Sequence, residues 1–422
     1  MEAENMSNSK LLFCGFLFAV LFLPHLVAQD SWTPIANIPT ARYGHSAVNV
    51  NTRESKKIYA IGGYNETAET VSPVEEYDLM TNKWTKTTDL PTLRGYCSSC
   101  EIGGKIYVFG GYNPATVVTV EKYDPETNIW ETKSPMPTAR WGHSAVVVYQ
   151  KVYIIGGARY WPAEFIEMTD VYDPMTNKWT SKTPIPTPRW LSSCCYINGK
   201  IYVIGGHDEV TTVGTVEAYD PSTDTWETKS PMPTARWGLK TAVVDGKIYA
   251  IGGGDKYPAT TCYTVVEEYD PEKDTWTTKS PMPVGRIGTA TAAINGKIYV
   301  IGGGGVREEE AHPESYVYDP VNETSTKVTN LPALTCYLYQ NNPNPFYQST
   351  YIPFDVQDVG QITLNVYDVL GRQVSTLINR EMNEGHHEVL FNRKDLPSGV
   401  YYYRIDMGDF SQTKKMLLNS AY

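Results

Sequence analysis

The sequence predicts an all-β chain: a six-bladed β-propeller followed by a small β-sandwich. Three observations carry that expectation. The heptapeptide "KIYVIGG" and its near copies occur six times. A Tyr-Asp pair, a Trp and an Arg recur at fixed offsets around it. Beyond residue 332 this pattern stops and apolar and polar residues alternate instead.

From the N-terminus, Lys10 precedes the apolar run "LLFCGFLFAVLFLPHLVA", residues 11 to 28. A positive flank, a short apolar core and a small residue at Ala28 read as a secretory signal, residues 1–28. Pro24 and His25 interrupt the run and leave it short for a membrane span. An exported chain could pair its cysteines. Yet Cys97-Ser-Ser-Cys100 falls in an expected strand, where residues three apart face opposite ways. The adjacent Cys194 and Cys195 do the same, so these thiols read as small buried hydrophobes.

The chain has 422 residues, 20% charged and 41% hydrophobic, with a formal net charge of −11. That balance excludes a general nucleic-acid binder, which needs a basic face to neutralise phosphates. The 31 Tyr and 10 Trp favour strands and recognition surfaces.

The Gly pairs end at 63, 111, 157, 206, 253 and 303, steps of 48, 46, 49, 47 and 50 residues. A period near 50 marks an array of supersecondary units. Tyr-Asp follows each pair, at Tyr77, Tyr123, Tyr172, Tyr219, Tyr269 and Tyr318. Seven residues beyond the Tyr stand Trp84, Trp130, Trp179, Trp226 and Trp276, and ten beyond those stand Arg94, Arg140, Arg189, Arg236 and Arg286. In "IYVI", Ile201 and Val203 face one way and Tyr202 and Ile204 the other, so the strand is covered on both faces. "YDPETN" and its variants are turn chemistry. Each unit therefore reads as four antiparallel strands, in the second unit near 95–102, 104–110, 118–124 and 128–133. The sixth unit has Ser325 where its Trp belongs, while Trp32 stands ten residues before Arg42 with no unit of its own. "SWTPIAN" is thus expected to complete the last sheet, with "TSTKVTNLP" as the competing strand or a linker.

Gly-Gly, Tyr-Asp, Trp and Arg with a nearby Gly-His, as in "ARYGH" and "ARWGH", resemble the kelch repeat over roughly residues 31 to 332. The resemblance implies a six-bladed propeller, residues 29–332, often closed by an N-terminal strand.

"YQNNPNPF" marks a boundary, with 333–343 read as a linker. Beyond it, "ITLNVYDVLGRQVSTL" and "GVYYYRIDMG" alternate as in a small sandwich. Residues 344–422 are read as this domain, and about residues 339 to 420 resemble the C-terminal sorting domain of type IX secretion. The resemblance rests chiefly on Asn344-Pro345-Phe346, Gly371-Arg372, Gly399, Tyr401 and Lys414-Lys415. It implies a partner in the type IX machinery and an address at the surface of a bacterium with an outer membrane; the sandwich itself is read as immunoglobulin-like. An adhesion or spacer module is the competing reading.

Catalytic motifs are absent from the sequence: it has no phosphate loop, nucleophile elbow or zinc helix. No residue is expected to be catalytic and no cofactor is expected. Kelch oxidases with a copper radical use two His and two Tyr near the axis; His45 and His143 occupy one repeat position, which duplication alone explains. With four antiparallel strands, the loop after Gly-Gly and the loop around Arg share one face. The first loop offers Tyr64, Tyr112, Tyr160, Trp161, His207 and Tyr257. The second offers Arg42, Arg140 and Arg236 beside Trp141, Trp190 and Trp237, with Tyr43 and Tyr96 at related positions. Rings and arginines on variable loops of a rigid scaffold suit recognition of a protein or glycan. An Arg in every repeat also suits a structural tie between neighbouring blades. The alternative is a carbohydrate-active kelch enzyme, such as a mutarotase of sialic acid, which would need an acid or base at the mouth.

Overall fold

The structure is a computed structural model that describes residues 30–51, 56–160, 163–306, 310–320, 336–356, 359–393, 395–408 and 410–419. The signal read at 1–28, Trp161, Ser325 and the competing strand at 324–332 lie outside these residues. Among the described residues there are strands and turns and no helix.

The fourth repeat shows the plan. Ser193–Ile197, Lys200–Ile204, Val216–Asp220 and Thr225–Lys229 form one antiparallel sheet in chain order. In the second repeat the strands run Ser98–Ile102, Lys105–Phe109, Val120–Asp124 and Ile129–Lys133, a little shorter than expected. The apolar run is covered on both faces. Ile201 and Val203 pack with Val148 and Ile155 of the third repeat. Tyr202 and Ile204 pack with Ile248 and Ala250 of the fifth. CxxC splits the same way: Cys97 enters the seam between repeats one and two and Cys100 the seam between two and three.

Six such sheets neighbour one another in a closed cycle through their first strands, which begin at Ser46, Ser98, Ser144, Ser193, Lys240 and Ala290. A ring of main-chain hydrogen bonds closes the same cycle. Gly44 N donates to Gly288 O at 2.9 Å, Tyr96 N to Gly44 O at 2.6 Å and Gly142 N to Tyr96 O at 2.9 Å. Leu191 N donates to Gly142 O at 2.7 Å, Gly238 N to Leu191 O at 2.8 Å and Gly288 N to Gly238 O at 2.9 Å. All six residues sit at φ between 50° and 64°, and four of them are Gly, which takes this region without a Cβ penalty. The Gly pair has its own steric reason: a Cβ on Gly62 would stand 2.4 Å from Arg94 O.

The N-terminal strand completes the sixth sheet. Ser31–Ile35 pairs with Ser315–Asp319 and puts Trp32 opposite Tyr318. Their ring centroids lie 4.8 Å apart, against 4.9 to 5.1 Å for the five Tyr–Trp pairs of the other sheets. Trp32 Nε1 donates to Ser280 O at 3.0 Å, as Trp276 Nε1 does to Ser230 O at 3.0 Å. Asp30 stands in for the turn Asp of a complete repeat. It accepts from Tyr318 Oη and from Ser280 N, as Asp274 does from Tyr269 and Ser230.

The C-terminal region is two sheets around one core. Cys336–Leu338, Ser349–Val356 and Gly385–Asn392 form the first. Gln373–Met382, Gly360–Tyr367, Gly399–Met407 and Phe410–Leu418 form the second, in that spatial order. Ile352, Phe354, Leu364, Tyr403 and Met416 meet between them. The stretch read as a linker is therefore partly domain: Cys336 and Leu338 are fully buried in this core.

Its motif residues divide by duty. Phe346 and Tyr401 are buried, and Tyr401 Oη donates to Pro397 O at 2.7 Å. Leu417 N donates to Asn344 Oδ1 at 2.8 Å, which pins the segment around Pro345 to the last strand. Gly371 and Arg372 form a turn on Asp368, which accepts from Arg372 Nε at 2.7 Å. Gly399 opens its strand, Lys414 is half-buried and Lys415 is exposed.

Candidate functional site

The loops after Gly-Gly and after Arg are joined by short ladders and do share one face. Tyr43 N donates to Tyr64 O at 3.0 Å and Tyr64 N returns the bond to Tyr43 O at 2.9 Å. Trp141 pairs with Ala158, Trp190 with His207 and Trp237 with Gly254 in the same way.

Arg42, Arg140 and Arg236 do not reach that face, which corrects their expected ligand contact. The six repeat Arg are 0% or 1% exposed. Arg42 pairs with Glu75 at 2.7 Å, Arg189 with Glu217 at 2.5 Å, Arg236 with Glu267 at 2.8 Å, and Arg140 with Asp170. Burial lowers the Arg42 pKa to about 10, yet the guanidinium stays charged at neutral pH. The tie between neighbours comes from the main chain instead. Gly63 N donates to Arg94 O at 3.0 Å, and Gly303 N to Arg42 O at 2.9 Å across the closure. The side chains brace their own repeat. The partners were visible in the sequence: an acid stands two residues before Tyr in five repeats, at Glu75, Glu121, Asp170, Glu217 and Glu267.

What remains on the face is aromatic. A cavity of about 330 Å³ is walled by Tyr43, Tyr64, Tyr96, Tyr112, Trp141, Trp190 and Tyr257, with Ala68 and Leu191. The rings form a continuous track. Tyr43 to Tyr64 is 5.6 Å, Tyr64 to Tyr96 5.5 Å, Tyr96 to Trp141 5.5 Å, Trp141 to Trp190 4.4 Å and Trp190 to Tyr257 5.2 Å. Such rings offer large apolar faces with little conformational freedom to lose. Trp237 is buried behind Tyr257 at 5.2 Å. His207 flanks the bowl, 6.1 Å from Tyr257. Tyr160 is 60% exposed and stands outside the wall. Leu191, in the main-chain ring, was not legible as a wall residue because its repeat position is Gly in four repeats and a ring, Tyr96, in one.

Among the described residues, no carboxylate, His, Lys or Arg lines the bowl. The Tyr64 hydroxyl donates to Tyr112 O at 2.7 Å, and burial raises its pKa, so it keeps its proton. Among the described residues, no cluster of three His, Cys, Asp or Glu side chains could hold a metal ion. A second cavity of about 350 Å³ lies between turns such as Asp245-Gly246 and the C-terminal strands. Among its ionic groups, His386 pairs with Asp355 at 2.6 Å and Glu384 with Lys56 at 2.8 Å.

Ring, repeats and bowl define a repeat-built β-scaffold that presents variable loops on one face. The chain belongs to the kelch-repeat family. The KLHDC2/KLHL20/DRC7 Kelch-repeats domain matches residues 25–185 and 122–303, and a Kelch motif matches 285–332. A secretion system C-terminal sorting domain, the type IX tail, matches residues 342–419. An F-box/kelch-repeat protein of Arabidopsis thaliana is 33% identical over 88 residues, 21% of this chain and 22% of that protein. Alpha-scruin of Limulus polyphemus is 33% identical over 90 residues, 21% and 9%. Kelch domain-containing protein 3 of Bos taurus is 32% identical over 78 residues, 18% and 19%. The matched stretch spans about a fifth or less of each of these relatives. No described helix is long and apolar enough to cross a membrane.

Proposed function

We propose that this chain is a secreted or cell-surface recognition protein whose ligand sits in the aromatic bowl. The observation that carries the reading is the bowl itself: seven rings in one track, with the six repeat Arg withdrawn into ion pairs. Ligands that suit it offer a flat apolar face, either side chains of a protein segment or the face of a sugar ring. Six sheets in a closed cycle support a six-bladed propeller, with residues 1–28 as its export signal. The two-sheet C-terminal region supports an immunoglobulin-like sandwich that serves as the type IX address. A mutarotase would need an acid or base at the mouth, and the described residues of the bowl wall supply none.

The test is a screen of protein and glycan arrays with the full chain, repeated with Tyr257→Ala and Tyr112→Ala. Loss of at least about tenfold in affinity for one ligand, with melting little changed, is expected of these half-buried ring contacts. Undiminished binding by both variants would refute the bowl as the site.

A further inference from the structure

The channel enclosed by the first strands holds one group that neither the scaffold nor the bowl uses. The first residue of those strands is Ser46, Ser98, Ser144, Ser193, Lys240 and Ala290 in successive repeats. Four repeats place a serine there and one places a small apolar residue. Only the fifth places a charge, so the sheet itself does not require it.

The serines and their neighbours build a hydroxyl belt. Ser99 Oγ donates to Ser46 Oγ at 2.7 Å, Ser193 Oγ lies 2.8 Å from Thr241 Oγ1, and Ser144 Oγ donates to Ser192 O at 3.0 Å. Lys240 extends into this belt. It lines two adjoining cavities, one of about 110 Å³ walled by the hydroxyls and one of about 20 Å³ beneath the main-chain ring. Its charge is felt by His45, Cys97, His143 and Cys194, which belong to the first, second, third and fourth repeats. A group in reach of four repeats from a fifth stands near the channel axis.

Among the described residues, no carboxylate lines either cavity. No ion pair or hydrogen bond is made by the Lys240 ammonium among the described residues. The two histidines are held neutral by burial, His143 down to about 3. Enclosure also lowers the Lys240 pKa, though the side chain is only half-buried because the channel reaches it. An enclosed cation without a counter-charge is costly, and an anion with hydrogen-bonding oxygens removes that cost while satisfying hydroxyl donors. We propose that the channel is a binding site for a small oxyanion, held by Lys240 and the hydroxyl belt. The cavity has room for about one such ion and a few waters, and not for a folded chain.

The experiment is isothermal titration of the full chain with inorganic phosphate, sulfate and acetate, each at constant ionic strength against chloride. Lys240→Ser, the residue of four equivalent positions, and Lys240→Met are measured beside it. At least one oxyanion is expected to bind, and both variants are expected to weaken it tenfold or more while melting no lower than the parent. Preference for phosphate or sulfate assigns a tetrahedral anion; preference for acetate assigns a carboxylate. If a variant fails to fold, the melting rise of the unmodified chain in phosphate over equal-strength chloride decides alone. No oxyanion effect beyond chloride, or equal binding by folded Lys240→Ser, would overturn the site. Neither result bears on the bowl, which is walled by different residues.

Discussion

The ring and the C-terminal region bury their apolar residues in opposite ways. The ring has a small core in each seam between neighbouring sheets, as where Val48 and Tyr59 meet Ile106 and Val108. The last seam joins Ala292 and Ile301 to Ile58 and Ala60 and closes the cycle. The C-terminal region has one core shared by two sheets of longer strands. A sheet of the ring thus depends on both neighbours, whereas the C-terminal sheets depend on each other. Damage to a seam should spread around the ring, and damage to the tail should stay local.

The largest effect should come from the closure. Removing residues 29–38 deletes Asp30, Trp32 and the strand opposite Tyr318. The loss is expected at about 3–5 kcal/mol, because a half-buried Trp and its strand are removed and an edge is opened. Melting like the full chain would assign closure to another strand.

Next comes Arg140→Ala, which strands the Asp170 carboxylate in the interior. Removing one partner of a buried pair costs about 3–5 kcal/mol. Urea unfolding should show that loss with ligand affinity unchanged. A selective loss of binding in a fully stable variant would return Arg140 to the site.

A smaller effect is expected with pH. His45 and His143 have pKa values pushed down by burial, so the unfolded chain takes up protons before the folded one does. Their contribution to stability is present above pH about 6.5 and is lost as pH falls toward 3. His45→Gln with His143→Gln should flatten the melting curve between those values. An unchanged slope would mean that other groups set acid sensitivity.

Much of this was legible because the repeat writes each feature six times. Trp32 and the missing Trp at position 325 were enough to place the closing strand on paper, since a fixed offset survives a cut in the chain. The bowl was legible only in part. Tyr64, Tyr112 and Tyr257 lay on the right loops, but which rings face inward depends on the ladder that joins two loops far apart in sequence. The Arg were misread as contacts because a charged residue beside rings looks like a surface. Their burial follows from an acid two residues before the Tyr in five repeats, a pairing that only the third strand brings within reach. The boundary at 344 was late because "CYL" is too short to announce itself as a strand.

The central claim is that the ring displays the bowl by itself while the tail is an address. The most direct test removes residues 336–422 and expresses the remainder in a type IX secreting host. The account predicts that the truncated chain melts within about 2 °C of the ring in the full protein, keeps its bowl ligand, and accumulates in the periplasm. Surface display at the normal level, or an unfolded ring, would contradict it.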